Sequence, residues 1–361
     1  MAHQEDDDPH FREIYIPIGG RLVSLPTTVS YLFDLLLYIS VLLIALMWGR
    51  LSIPNLSEFS PTDRTLWYTY KPEVQTYAPI WALLLCSIIV PVVVMFIISL
   101  SVGISLPVDR RLWDFTMGIL ALLGAASFQL LIVCILKNTT GKYRPDFVSR
   151  CVLDDRALTF LQTFHPGQLL NIDFCVSTNF SLIYEGLRSF PSGHASTIFC
   201  VLTVQCLFCA GKLTVFDGRS LSFKILFCFL FPYSIASLIA LSRVSDHRHF
   251  IEDVLFGSLI GIITGVLFYH LYFPPPHIIQ NVGRAYNPRR FGMNHYFNGV
   301  GGFWKIQDLD GFEQQRVRPP DEEDPISPNQ LPQTKKERIR ESIASLRSAL
   351  PPTEFMGSRT S

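Results

Sequence analysis

Apolar positions along the chain gather into six long, sparsely charged runs, near 30–48, 80–104, 112–136, 195–211, 222–242 and 251–272. Each has about the 17–25 residues that cross a ~30 Å hydrocarbon core as a helix, so the pattern predicts an all-α, polytopic membrane protein with six transmembrane helices. The run at 195–211 is the shortest. Residues 1–29 carry QEDDD and little apolar content, and we expect no cleavable signal peptide there, with the first run acting as an uncleaved anchor. After residue 273 the pattern breaks into the Pro-rich, charged stretches FPPPH, RPPDEEDPISPNQLP and PPTEF, a composition that cannot bury enough apolar surface to fold alone. The chain therefore divides into a cytoplasmic tail (1–29), a membrane domain (30–272) and a largely disordered cytoplasmic tail (273–361). Within that tail, KKERIRESIASLRSAL (335–350) spaces Ile339, Ile343, Leu346 and Leu350 as an amphipathic helix would, either solvated or lying on the membrane surface. No internal repeat is visible.

An even number of spans puts both termini on one side and the loops 49–79, 137–194 and 243–250 on the other. The sequons at Asn55, Asn138 and Asn179 all fall in those loops, which marks them as lumenal or extracellular. The opposite flanks hold Arg110, Arg111, Lys212, Arg219, Arg284, Arg289 and Arg290, in keeping with a cytoplasmic face. The net charge of zero argues against a nucleic-acid partner and leaves local clusters as the electrostatic clue. Cys86, Cys134, Cys200, Cys206, Cys209 and Cys228 lie inside the apolar runs, where a thiol is a small apolar residue, and the C-x-x-C of Cys206 and Cys209 reads as core packing. Cys151 and Cys175 stand apart in the long loop; a disulfide between them is expected in an oxidising compartment, against the alternative of two free thiols.

Three polar clusters sit at span ends on the same face: KNTTGKYRPDF (137–147), RSFPSGHAS (188–196) and SRVSDHRHFIED (242–253). Pro191, Ser192 and Gly193 make a turn entering a helix, whose N-terminal N–H groups and dipole attract an anion; with a hydroxyl and His194 the place suits a phosphate. PSGH alone also reads as an ordinary helix cap. His249 and Asp253 are four apart and share a helix face, so the carboxylate can hold one ring nitrogen and leave the other as nucleophile or base. His247 falls on another face, and Glu252 is a weaker orienter. Arg243 offers a planar fork for phosphate oxygens. Lys142, Arg150, Arg156 and Arg248 read as solvated or headgroup-facing cations. Lys137, Arg144 and Arg243 at a membrane edge beside two histidines read as functional.

Taken in order, K-x6-R-P (Lys137, Arg144, Pro145), P-S-G-H (191–194) and S-R-x5-H-x3-D (Ser242, Arg243, His249, Asp253) resemble the three-part signature of the type 2 phosphatidic acid phosphatase family. RPDF followed by Arg150-Cys151, and ALSRVSDHRHFIEDVLFGS, are similar to fungal diacylglycerol pyrophosphate phosphatases and plant lipid phosphate phosphatases, over about residues 80–275. The resemblance implies a catalytic core bundle at the lumenal membrane edge. His249 would be the nucleophile, oriented by Asp253, and His194 the general acid and base. Lys137, Arg144, Ser192, Gly193 and Arg243 would bind the phosphate, with no metal and no cofactor. Phosphatidate, diacylglycerol pyrophosphate and lysophosphatidate in an endomembrane or plasma membrane would be the substrates. The alternatives are sphingoid-base or polyprenyl-diphosphate phosphatases of the same family, or a silent lipid-phosphate-binding scaffold. A transporter fits less well, because the charges cluster at span ends and not at a midplane break.

Overall fold

A computed structural model describes residues 15–18, 21–60, 62–102, 108–151, 169–216, 222–276 and 283–286. Among the described residues, six helices are long and apolar enough to cross a membrane. We label the helices α1 (Leu25–Leu51), α2 (Ile80–Ser101), α3 (Val108–Thr140), α4 (Phe147–Cys151), α5 (Phe180–Gly186), α6 (Gly193–Lys212), α7 (Ser222–Ser245) and α8 (Ile251–Tyr272). The protein is thus the all-α, multi-pass membrane protein that the apolar runs predict. Two boundaries differ. β1 (Tyr15–Ile18) and β2 (Arg21–Ser24) pair antiparallel ahead of α1, inside what composition reads as tail. Residues 273–276 and 283–286 belong to the bundle and not to the tail: Phe273 and Ala285 are buried. The predicted helix at 335–350 and Arg156 lie outside the described residues.

The shortest predicted span, α6, is the centre of the bundle. It is the least apolar of the six, and 72% of its most apolar stretch is buried inside the protein against 17% for α1. A helix shielded from lipid by its neighbours has no need of a uniformly apolar surface; it needs small residues that let those neighbours approach. The other half of that requirement sits on α8, where Gly257, Gly261 and Gly265 recur every fourth residue. A Cβ on Gly257 would stand 2.6 Å from the Ser192 carbonyl oxygen and one on Gly265 2.7 Å from that of Cys200, while one on Gly261 would run into the carbonyl of Ser196. Backbone therefore lies directly against backbone along the α6–α8 seam.

Two spans carry a proline in mid-helix. Pro91 and Pro232 each follow a single π turn, Leu85–Ile89 and Leu226–Leu230. The wider turn lets Val90 and Phe231 donate to the carbonyls of Leu85 and Leu226, which recovers backbone pairing around a residue with no N–H to give. At the end opposite the three polar clusters, Lys212 pairs with Oδ2 of the fully buried Asp114, while Oδ1 faces Arg110 at 3.4 Å and accepts from the Ala285 N–H at 2.9 Å. Trp113 Nε1 donates to the Tyr286 carbonyl, so the chain after α8 is strapped across that end. In α1, Asp34 accepts from the Tyr272 hydroxyl at 2.8 Å, a satisfied carboxylate between two spans.

Candidate active site

α3 continues to Thr140, so Lys137 lies in its last helical turn and Gly141, at φ +56°, turns the chain out. Lys137 Nζ donates to the Arg188 carbonyl at 2.7 Å, and its Cε passes 3.7 Å from where a Gly193 side chain would begin. The ammonium thus stands over the N-terminus of α6. Ser192 caps that helix: its Oγ accepts from the Ala195 N–H at 3.5 Å, and its own N–H donates to the Asp253 carbonyl at 2.9 Å. These contacts lock the second polar cluster to the third, next to the glycine seam below.

The third cluster is built by two helix ends back to back. α7 closes with the Arg248 N–H on the Arg243 carbonyl and the His247 N–H on that of Val244, both at 2.9 Å, which is the Schellman arrangement. Its left-handed position, where glycine is usual, is His247 at φ +57°, with the ring stacked on Tyr68 at 4.4 Å. Two residues on, α8 begins with Asp253 Oδ2 accepting from the Phe250 N–H at 3.1 Å, half of a capping box. His249 is held between the two ends and is 4% exposed, so it cannot swing freely.

Asp253 is busier than its spacing implies. Its carboxylate also takes the Ser189 hydroxyl at 2.5 Å and the Lys142 ammonium at 2.7 Å, whereas its nearest approach to His249 Nδ1 is 3.9 Å, too long for a hydrogen bond. His249 Nδ1 is buried with no hydrogen-bond partner.

The cations assemble around these histidines. Arg144, 9% exposed, pairs with Glu185 at 3.1 Å, and Arg150 and Arg248 reach the same carboxylate at 3.3 Å each. Burial pulls the Glu185 carboxyl up, but the three guanidiniums outweigh it and hold it down at about 2. Arg150 is fully buried against Asp146 at 2.8 Å. Arg243, 1% exposed, is aimed by Asp246 at 2.8 Å, and Asp246 in turn accepts from the Tyr77 N–H at 3.0 Å and lies 3.5 Å from Lys71. The charges of Arg243, Arg144, Lys137 and Arg248 all act on His194. Burial first, then the charges of Lys137, Arg144 and His194, push the His249 imidazole well below its ordinary range, so it stays neutral. Among the buried nitrogens at this end, Arg144 Nε, Arg188 Nε, Arg248 Nε, His194 Nε2 and His249 Nδ1 lack a hydrogen-bond partner. A concentration of buried donors with too few acceptors suits a multiply charged oxyanion.

The solvated reading of Lys142, Arg150 and Arg248 therefore does not hold. Arg150 and Arg248 are buried and ion-paired, and Lys142 is bound to two carboxylates. The i,i+4 spacing of Asp146 and Arg150 and the i,i+3 spacing of Arg243 and Asp246 are signals that could have found two of these pairs. Glu185 carries no such local signal. A disulfide joins Cys151 to Cys175 with a Cα–Cα distance of 4.6 Å, tying the end of α4, which carries Arg150, to the segment leading into α5, which carries Glu185.

Neutral His249 has a consequence for stability. In the unfolded chain its pKa returns to ~6.5, so below that pH the unfolded state binds a proton that the folded state refuses. Stability is full above about pH 6.5 and falls on acidification by up to ~1.4 kcal/mol per pH unit. Thermal unfolding in detergent should show a smaller loss between about pH 7 and pH 5 in His249→Gln than in the unaltered protein. Glu185, held at about 2 when folded and returning to ~4.3 when unfolded, adds only a small slope near pH 5, the same in both proteins.

Fold and site together define a polytopic membrane protein with a cluster of cations and two histidines gathered at one end of its bundle. The PAP2 superfamily pattern matches residues 118–275, from within α3 to just beyond α8. A PA-phosphatase related-family protein of Dictyostelium discoideum is 30% identical over 252 residues, covering 68% of this chain and 81% of that one. Lipid phosphate phosphatase 2 of Arabidopsis thaliana is 30% identical over 66% of this chain and 74% of its own length. Probable diacylglycerol pyrophosphate phosphatase 1 of Schizosaccharomyces pombe is 39% identical over 40% of this chain and 50% of its own. No solved structure matches. The chain belongs to the PAP2 superfamily and is an enzyme of the phosphoric monoester hydrolase class. The loop before α2 that brings Lys71 and Tyr77 to Asp246 lies outside the matched pattern.

Proposed function

We propose that this enzyme hydrolyses phosphatidate to diacylglycerol and phosphate without magnesium, and accepts diacylglycerol pyrophosphate and lysophosphatidate. The observation that carries the reading is the convergence of Lys137, Arg144 and Arg243 on the buried His249 and the partly buried His194, whose ring nitrogens His249 Nδ1 and His194 Nε2 are buried without a partner. His249 Nδ1 is the nitrogen nearer Asp253, which leaves Nε2 to attack phosphorus. As the N–P bond forms, the P–O bond to glycerol breaks, and His194 in its protonated form gives the leaving oxygen a proton. Neutral His194 then takes a proton from water, whose oxygen attacks the phosphohistidine, freeing phosphate and restoring His249.

Lys137, Arg144 and Arg243 supply the positive charge that a metal would bring to the transferring phosphoryl, joined by the first-turn N–H groups of α6 at Gly193 and His194. Ser192 supports them as the cap that fixes that helix end. A site at a span end lets the acyl chains stay in lipid while the headgroup phosphate enters the cations, which favours lipid phosphates over soluble esters. In excess EDTA, detergent-solubilised protein should release phosphate from phosphatidate. Comparing turnover across phosphatidate, diacylglycerol pyrophosphate, lysophosphatidate and a sphingoid-base phosphate ranks the headgroups; faster turnover of the sphingoid-base phosphate would reject this substrate assignment.

We place the site on the lumenal or extracellular side. Asn55 and Asn179 are exposed at that end, whereas Asn138 is buried and donates to Ser52. A glycosidase-sensitive mass should be lost stepwise in Asn55→Gln and Asn179→Gln and be unchanged in Asn138→Gln. No glycan on any variant expressed in a eukaryotic membrane would count against that orientation.

A further inference from the structure

The geometry points to Lys142 as a positioning residue: by pairing with Asp253 it sets how strongly that carboxylate acts on His249. This rests on His249 being the attacking residue. Lys142 Nζ lies 2.7 Å from Asp253 Oδ1 and 2.7 Å from Glu252 Oε1, and it sits over the ring of Phe250 at 4.8 Å. Its own carbonyl accepts the Ser189 N–H at 3.0 Å, and Ser189 is the residue whose hydroxyl holds the other Asp253 oxygen. Lys142 therefore grips Asp253 both directly and through Ser189, while Asp253 stands off from His249 Nδ1 at 3.9 Å.

The physical effect is a balance of charges on one imidazole. His249 faces Asp253, with Glu252 beside it, on α8; Lys142 after α3; Lys137 in the last turn of α3; Arg144 before α4; and His194 on α6. Arg248 precedes it in the chain. An imidazolium has no lone pair to attack phosphorus, so the nucleophile must stay neutral beside two carboxylates. Lys142 cancels much of their field, most of all at Asp253, whose side chain is shut off from water and so weakly screened. Without it, Asp253 is free to close on Nδ1 and to favour the proton.

The test is the acid limb of kcat/KM against pH, measured on phosphatidate in detergent micelles with EDTA. The substrate is the same for every variant, so its own ionisation cancels. In Lys142→Met the limb should move up by about one pH unit, whereas Lys142→Arg should keep it in place. Glu252→Gln, at a half-exposed side chain that tolerates substitution, removes a carboxylate and should move the limb down. A Lys142→Met enzyme with altered kcat or KM but an unshifted limb overturns the proposal, as does a Glu252→Gln limb that stays put. Failure of the underlying reading shows differently: His249→Ala would then retain full activity whatever the Lys142 variants do.

Discussion

Replacing His249 with alanine is expected to lower phosphate release from phosphatidate by roughly ten-thousandfold or more, the scale seen when a covalent nucleophile is removed. The loss follows from the way the residue is held. His249 is pinned between the Schellman end of α7 and the capped start of α8, and among the described residues no other imidazole occupies that place. His247, the near neighbour in sequence, is turned away at φ +57° and stacked on Tyr68. His194→Ala should cost less, about a hundredfold to ten-thousandfold, since it removes proton transfer and leaves the attacking group intact. Phosphate release by purified protein, with melting temperature as a folding check, separates the two.

The second large effect is on the fold. Gly261→Val would drive a Cβ into the Ser196 carbonyl and to within 2.8 Å of the Cys200 nitrogen. Both obstacles are backbone of α6, which no rotamer change can move. We expect a loss of about 3 kcal/mol or more, read as a lower melting temperature in detergent. Leu259→Val, two residues away on the lipid-facing side with Leu259 at 52% exposure, should stay within about 0.5 kcal/mol of the unaltered protein. Gly261→Ala should fold with reduced kcat, because the seam it wedges open carries His194 at the head of α6 and holds the start of α8 beside His249. A Gly261→Val protein as stable as Leu259→Val would show that the seam does not close as described.

Much of the fold was legible because lipid imposes one rule on every span: about twenty apolar residues with internally paired backbone. The same rule made α6 look marginal. Its polar and small residues are those of a central helix, and Gly257, Gly261 and Gly265 on α8 are the matching half that the apolar pattern overlooks. In the site, spacing identified His249 with Asp253 as one face and grouped Lys137, Arg144 and Arg243 by their span ends. Spacing could not show that the Asp253 carboxylate is engaged by Ser189, Lys142 and the Phe250 N–H, because Ser189 and Lys142 arrive from other segments. Nor could it show three arginines sharing Glu185, or Asp246 backed by Tyr77 and Lys71 from the loop before α2. Lys142 and Arg248 read as solvated because their partners, Asp253 and Glu185, are far away in the chain.

Trapping the covalent intermediate tests the central claim most directly. Purified enzyme in EDTA is mixed with phosphatidate labelled in its phosphate, quenched in alkali within a turnover, and digested for mass spectrometry. The account predicts label on the peptide bearing His249, lost on chasing with unlabelled substrate and absent from His249→Ala. Label on another residue, or full turnover with no labelled protein at any quench time, would contradict it.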